Sequence, residues 1–361
     1  MPVRTPVRSS ANILIVHHDS AAHFLSATFP TFRRHEESAN IVFAHALKLL
    51  GSEAALTGCH FINESDVSTW WRQETLPLPS SPSSPRGHVA FPPTTTTSQM
   101  TTNDPFWLTI WSSSSPSVPP TLDIVLSCVN WTLGDYPLLA EHLLDIIPPC
   151  RVFSIFGKTQ LVKTFARYWS DLVNCPIEPE PFYAAYYSFC NPETFKESHD
   201  PLSRGDSIRR ANIEDLAAVA QLCKEFADDS VYFPLELDAA TVEARELILN
   251  GLIWIYESEG EVTSICAVTR NTQNVSAITK VYTTPKWRRR GFAEHLVRNV
   301  TRRLLVDCGK RNVTLYVGHN NSAQRVYDRV GFVGLCGKEK VNGVEDSLEL
   351  GLVTGAPRGH W

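Results

Sequence analysis

The sequence predicts an α/β protein of the α+β kind with a mixed sheet, divided into two successive domains. Three observations carry that expectation. Apolar or alternating runs of strand length are interleaved with segments of helical period through most of the 361 residues. A polar stretch containing Pro201 and Gly205 interrupts the chain near its middle. Beyond it, a strand, a proline, the run Arg288-Arg289-Arg290 and a helix start follow one another from Val281 to Ala293.

Residues 1–12 read as a disordered arm, and 13–195 as an N-terminal α/β domain. Ile13–Val16 is a short strand. His17, His18, Asp19 and His23 follow it at no metal-ligand spacing, so a helix cap at Asp19 or Ser20 explains them and no metal is expected. Glu36–Leu50 has helical period, with Gly51 as its stop. Residues 77–104 are dominated by Pro, Ser and Thr and read as a disordered insertion, and Ser112–Pro120 as a shorter one. Phe106–Trp111 and Leu122–Val129 follow as strands, Leu138–Ile147 as a helix and Val152–Phe156 as a strand. Gly157 is an ordinary strand-to-helix turn, Lys158–Trp169 an amphipathic helix, and Pro181–Cys190 an aromatic-rich strand.

Residues 196–206 form the linker, 207–354 the second domain and 355–361 a tail. Ser207–Ala211 is a strand. Asn212 caps a helix whose buried face is Leu216, Val219, Ala220 and Cys223. A loop at Asp228–Pro234 and a helix at Ala240–Leu249 lead to a hairpin, Trp254–Glu257 with Val262–Thr269. Val275–Thr284 is the next strand, and closing strands are expected near Val333–Gly337 and Ser347–Leu352.

Composition narrows the function classes. A net charge of -5 and a pI near 6.2 give no electrostatic reason to bind nucleic acid. No apolar run reaches the ~20 residues of a membrane helix, and no signal peptide opens the chain. The nine cysteines stand singly, which indicates neither a zinc site nor a disulfide framework. A reducing compartment follows, cytoplasmic and compatible with the nucleus.

The strand-to-helix turn is the chemically informative stretch. Small residues and arginine there aim unpaired N–H groups at one point, where the helix dipole also favours negative charge. Arg288-x-x-Gly291-x-Ala293, just after a strand-ending proline, resembles the pyrophosphate loop of the GNAT superfamily of acetyl-CoA-dependent N-acetyltransferases. Asn320-x-x-Ala323-x-x-x-Tyr327-x-x-x-Gly331-Phe332 resembles that family's second motif, in the expected order and context. The resemblance covers about 207–354.

It implies acetyl-CoA as acyl donor and an amine on a small molecule or a protein as acceptor, with no nucleic acid or membrane partner. Arg288, Arg289, Arg290, Gly291, Phe292 and Ala293 would hold the pyrophosphate. Backbone groups of Val281, Tyr282 and Thr283 would lie beside the pantetheine arm and polarise the carbonyl. Asn320 and Ala323 would border the same arm, and Tyr327 would protonate the leaving thiolate. Some family members carry a glutamate base on the strand before the loop, and here that strand has no carboxylate. His319, Asp228, Asp229, Tyr232 or a water chain stand as alternatives. Two further readings stay open: a non-catalytic acyl-CoA-binding module, and a donor with a longer acyl chain. The N-terminal domain would cover the acceptor side, and it reads either as unrelated or as a degenerate GNAT-like half.

Overall fold

The structure, a computed structural model, describes residues 14–18, 21–56, 87–91, 107–112, 122–127, 136–145, 148–198, 200–229 and 234–353. Its elements run β1 (Leu14–His18), α1 (Ala21–Arg34), α2 (Glu36–Leu56), β2 (Gly87–Phe91), β3 (Trp107–Ser112), β4 (Leu122–Ser127), α3 (Tyr136–Leu144), β5 (Val152–Lys158), α4 (Thr159–Val173) and β6 (Tyr183–Cys190). They continue with β7 (Ser207–Arg210), α5 (Leu216–Asp228), α6 (Leu237–Leu249), β8 (Ile253–Ser258), β9 (Glu261–Asn271), β10 (Val275–Thr283), α7 (Phe292–Arg302), β11 (Asn312–Gly318), α8 (Gln324–Val330) and β12 (Glu345–Gly351). Among the described residues, and setting aside single turns of tighter or wider helix, the order β-α-α-β-β-β-α-β-α-β occurs twice.

Contacts divide the chain into Met1–Ala184 with Ser347–Gly359, and Ala185–Asp346 with His360–Trp361. In the first unit β3 pairs antiparallel with β4, β4 parallel with β5, and β5 antiparallel with β12. Leu139, Leu143, Ile155, Val162, Phe165, Trp169 and Leu348 form its core. In the second unit the order is β6-β11-β10-β9-β8-β7, with only β10 and β11 parallel. Alternate residues of these strands serve opposite faces, as a pleated strand requires. Trp254, Cys266 and Ile278 meet Leu296, Val297, Val300 and Tyr327 from α7 and α8. Ile255, Ile265 and Tyr282 meet Val219, Cys223, Ala244 and Leu247 from α5 and α6. Each fully buried leucine or valine contributes roughly 2 kcal/mol.

Several expectations need correction. Gly87–Phe91, inside the stretch read as a disordered insertion, is a strand paired antiparallel with β1, its apolar Val89, Ala90 and Phe91 supplying the strand character. The remainder of 77–104 lies outside the described residues, as do 1–12, 355–361 and most of Ser112–Pro120. Gly51 does not stop α2, which runs on through the helix-favouring Ala54, Ala55 and Leu56. Gly157 lies inside β5 and not in a turn after it. Val333–Gly337 is no strand: Val333 exchanges single bonds with Phe189 and Ser188 of β6, and positive φ at Gly334, Cys336 and Gly337 then turns the chain away. The place beside β11 belongs to β6, and β12 pairs with β5.

Two local devices hold the second unit's ends. Gly331 ends α8 at φ 117°, and a Cβ there would stand 2.2 Å from the Thr194 carbonyl oxygen, so only glycine fits. Before α5, the Asn212 side chain accepts from Glu214 N–H and the Asp215 carboxylate accepts from Asn212 N–H, a reciprocal cap. Arg209 donates to both Asp215 oxygens, at 2.7 and 2.9 Å, and to Glu257 at 2.9 Å.

Those Arg209 bonds hold the Asp215 carboxyl below the usual carboxylate range; burial opposes them and the Asn212 N–H adds to them. A lowered folded-state value means that the contribution is complete above the unfolded value, ~3.9, and is lost as pH falls through the lower folded one. Asp215→Asn is expected to cost about 1–2 kcal/mol at neutral pH. Denaturant melts across pH should show wild type and variant converging on acidification below about pH 4.

Candidate functional site

The parallel pair β10–β11 comes apart. Their register runs from Val275↔Asn312 to Ile278↔Leu315 and stops, although β10 continues to Thr283 and β11 to Gly318. At that point the β9–β10 register slips at Thr269 and Thr279, whose hydroxyls are hydrogen-bonded at 3.0 Å. Such irregularities bend a strand and raise its twist. The first unit's parallel pair, β4–β5, shifts register once between Leu122 and Asp123 and then stays paired to Leu126↔Gly157, one residue short of both strand ends.

The open end of β10 leads into the arginine loop. Thr284–Trp287 makes a tight turn, Arg288 is extended, and Arg289 and Gly291 are left-handed at φ 65° and 86°. Gly291 begins α7 with no side-chain cap, and the first helical bond is His295 N–H to Gly291 C=O. The N–H groups of that first turn therefore remain directed outward with the positive end of the dipole. Arg288 is engaged: it donates to Thr283 C=O at 2.9 Å, pairs with Asp229 at 3.2 Å and lies over the Tyr282 ring. Arg290 stacks 4.5 Å from the Trp287 ring centroid. Exposed Arg289 makes no ion pair among the described residues and is the cation most available to an anion.

The other loop residues divide between core and site. The Phe292 ring stacks 4.4 Å from Tyr256 in the core, so Phe292 offers the site only its backbone. Tyr256 donates to Asp206, and burial, more than that bond, raises its hydroxyl pKa. Ala293 is half-buried, and Val281 packs into the α7–α8 core. Tyr282 faces α5 and α6, its hydroxyl pKa raised by burial and then by Asp229. The Thr283 hydroxyl bonds Ser264 at 2.7 Å.

At the end of β11, Asn320 is exposed, while its neighbour Asn321 accepts from Ala323 N–H at 2.8 Å and starts the turn into α8. Half-buried Ala323 and buried Tyr327 join the same core as Val281, and Tyr327 meets Phe332 edge-on at 5.8 Å. His319 packs against Tyr186, ring centroids 4.3 Å apart and planes tilted by 39°, with Nε2 3.5 Å from Asp346 Oδ1. Asp228 is held by Lys224 at 2.6 Å, Asp229 by Arg288, and Tyr232 lies outside the described residues. The loop residues and the second-motif residues thus flank the two parted strands, and Asp228 stands apart in its own helical ion pair.

Sequence reasoning missed Gln324. This buried side chain donates to the carbonyls of Gly318 and His319, at 3.0 and 2.6 Å, and accepts from Cys336 N–H at 3.1 Å. It also missed Glu294, which ties Arg298 of its own helix to Arg329 of α8 at 2.9 and 2.5 Å. Burial would raise the Glu294 carboxyl pKa, but the bonds from Arg329 and Arg298 outweigh it and lower the value. The i,i+4 spacing of Glu294 and Arg298 was legible; the partner 35 residues away was not. Among the described residues no group of three or more His, Cys, Asp or Glu could hold a metal ion.

Gln324→Leu removes the side-chain bonds to the His319 carbonyl, the Cys336 N–H and the Gly318 carbonyl, the last of which keeps its bond from Asn321 N–H. A loss of about 2–4 kcal/mol in chemical denaturation is expected, with Gln324→Glu also destabilising because a carboxylate cannot donate to the carbonyls.

Residues 255–340, under a quarter of the chain, match the family model of the FR47-like protein, a GNAT-related family. No curated protein matches the sequence. Solved structures similar to the chain include a GCN5-related N-acetyltransferase from Sphaerobacter thermophilus (14% identity, 87% of this chain and 93% of that one, TM-score 0.47). Another is a Drosophila protein (13% identity, 70% and 75%, TM-score 0.48). A third is a GCN5-related N-acetyltransferase from Kribbella flavida (17% identity, 66% and 82%, TM-score 0.44). The matched residues run from within β8 to the loop before β12, and over that stretch this mixed α/β protein is similar to the FR47-like family.

Proposed function

We propose that the protein is an acyl-CoA-dependent N-acyltransferase that moves an acetyl group from acetyl-CoA to an amine. The observation that carries this reading is the opening between β10 and β11 beside an uncapped helix N-terminus. The uncapped first turn of α7, with left-handed Arg289 and Gly291 and the exposed Arg289 guanidinium, suits a pyrophosphate. Freed from β11, the Val281–Thr283 backbone can pair with an amide-bearing arm and offer an N–H to a thioester carbonyl. Tyr327 is the proton donor to the departing thiolate.

The first unit is best understood as a relative of the second without this machinery. Three features support that. The element order repeats, β4–β5 remains paired to within one residue of its ends, and the connection Cys128–Asp135 holds no arginine and a single glycine. The acceptor is an amine on a small molecule or a protein. Among the described residues no helix is long and apolar enough to cross a membrane. The absence of a carboxylate from Val275–Thr283 favours one competing reading, a domain that binds acyl-CoA without turnover.

Calorimetric titration with acetyl-CoA separates these. Wild-type protein should bind, and Gly291→Glu should not. A Cβ at 291 meets only the His295 ring, at 3.7 Å, so the substitution costs about 1–2 kcal/mol of backbone strain while placing negative charge in the anion site. Tyr327→Phe should keep the affinity and lower turnover by about 10–100-fold. Unchanged turnover would remove the donor role of Tyr327, and binding without turnover by wild type would support the binding module. No binding at all would sink the acyl-CoA reading.

A further inference from the structure

The residue just past β11 sits in a constructed environment that neither motif accounts for. The His319 backbone is fixed, because its carbonyl and that of Gly318 both accept from the buried Gln324 amide. Its ring packs against that of Tyr186 of β6 at a tilt of 39°. Its Nε2 is buried, makes no hydrogen bond among the described residues, and stands 3.5 Å from Asp346 Oδ1 at the start of β12. That separation is within ion-pair range and longer than a hydrogen bond. Lys340, from the loop before β12, pairs with the other Asp346 oxygen and lies 5.4 Å from the Tyr186 ring centroid. The side chain as a whole is 34% exposed, so the ring keeps a route to solvent.

From this geometry we infer that His319 is the proton acceptor for the incoming amine, with Asp346 as its positioning residue. The inference rests on the transferase reading above and names what that reading lacks, the group that makes the amine nucleophilic. Nε2 is the ring nitrogen beside the Asp346 carboxylate, and a proton placed there leaves Nδ1 with the lone pair. Asp346 orients the ring from beside Nε2, and its other carboxylate oxygen is held by Lys340. The acceptor class follows. An aliphatic amine reaches the site as an ammonium ion at neutral pH and must lose a proton before it can attack, whereas an aromatic amine arrives neutral and needs no base.

The step balances as follows. Nδ1 takes one proton from the ammonium, and the freed nitrogen lone pair forms the C–N bond to the acetyl carbonyl carbon. The resulting oxyanion re-forms its double bond as the C–S bond breaks, and the thiolate takes the Tyr327 hydroxyl proton. The new amide nitrogen, which still carries an extra proton, returns one to Tyr327. His319 releases its proton to solvent, so the products are the amide, the free thiol of coenzyme A and one proton.

The test uses the full chain with acetyl-CoA and a panel of aliphatic amines (phenethylamine, a lysine ester and a diamine), with aniline as the aromatic comparison. His319→Gln should keep acetyl-CoA affinity and lower kcat with an aliphatic amine about 100-fold, with little effect on aniline. Asp346→Asn should likewise keep acetyl-CoA affinity and lower kcat with an aliphatic amine about 10-fold, with little effect on aniline, a split that a merely structural role would not produce. Independently of turnover, nitrogen-15 spectra should show His319 protonated on Nε2 in wild type and a mixture of tautomers in Asp346→Asn. A tautomer that Asp346→Asn leaves unchanged, or full aliphatic turnover by His319→Gln, overturns the inference. Absence of acetyl-CoA binding by wild type overturns the parent reading and the base role with it, whatever the spectra show.

Discussion

The second unit depends on one broken contact, the parallel ladder that β10 and β11 begin and do not finish. Ladder bonds are the default for buried strands, since an unpaired backbone group without water costs the equivalent of a lost hydrogen bond. Leaving Thr279–Thr283 and Tyr316–Gly318 unpaired with each other therefore requires support from elsewhere. On one side β9 continues to pair with β10 through Thr283, past the slip at Thr269 and Thr279. On the other, β6 pairs with β11 to Gly318. Each parted strand thus keeps one complete ladder, and the opening between them is held by its outer neighbours.

The ends of the opening are fixed by polar side chains where the chain has little apolar surface to spend. Gln324 satisfies three backbone groups at the β11 turn, and Arg288 ties the carbonyl that ends β10 to Asp229 at the end of α5. The two fixings differ in kind. The Gln324 bonds are largely buried and hold in any salt. The Arg288–Asp229 pair is exposed, 45% and 63% at the side chains, so it is weak and easily exchanged. An anion arriving at the loop can therefore draw on Arg288 at small cost, while the geometry at His319 stays in place.

Much of this was legible in the sequence, for reasons that can be named. The second unit's helices and strands follow from period and caps, and Asn212 with Asp215 is a cap that the sequence spells out. The arginine loop and the second motif are local signals, complete within a dozen residues each, and they lie where the parted strands end. Strand partnership was not legible. Nothing in Tyr183–Cys190 says that it will pair with β11, and nothing in Ser347–Gly351 points to β5, because the alternation of a strand fixes its faces and not its neighbours. Strand character inside a polar insertion was equally hidden, since Gly87–Phe91 is only five residues long. Gln324 and Asp346 were missed because their partners come from a turn and from a separate strand.

The repeated element order turns these failures into one physical point. Both halves contain a parallel pair preceded by an antiparallel strand and followed by a helix and a strand, yet only the second pair opens. The fold alone therefore does not create the opening. What distinguishes the second half is the slip at Thr269 and Thr279, then a connection carrying three arginines and a left-handed Gly291, where the first half has Cys128–Asp135. A closed pair is the cheaper state, with its ladder complete. An open one persists only where outer strands and turn-fixing side chains hold it, and where a ligand can complete the unpaired edge. On the proposed reading, the second half is the same architecture modified to receive a ligand along that edge.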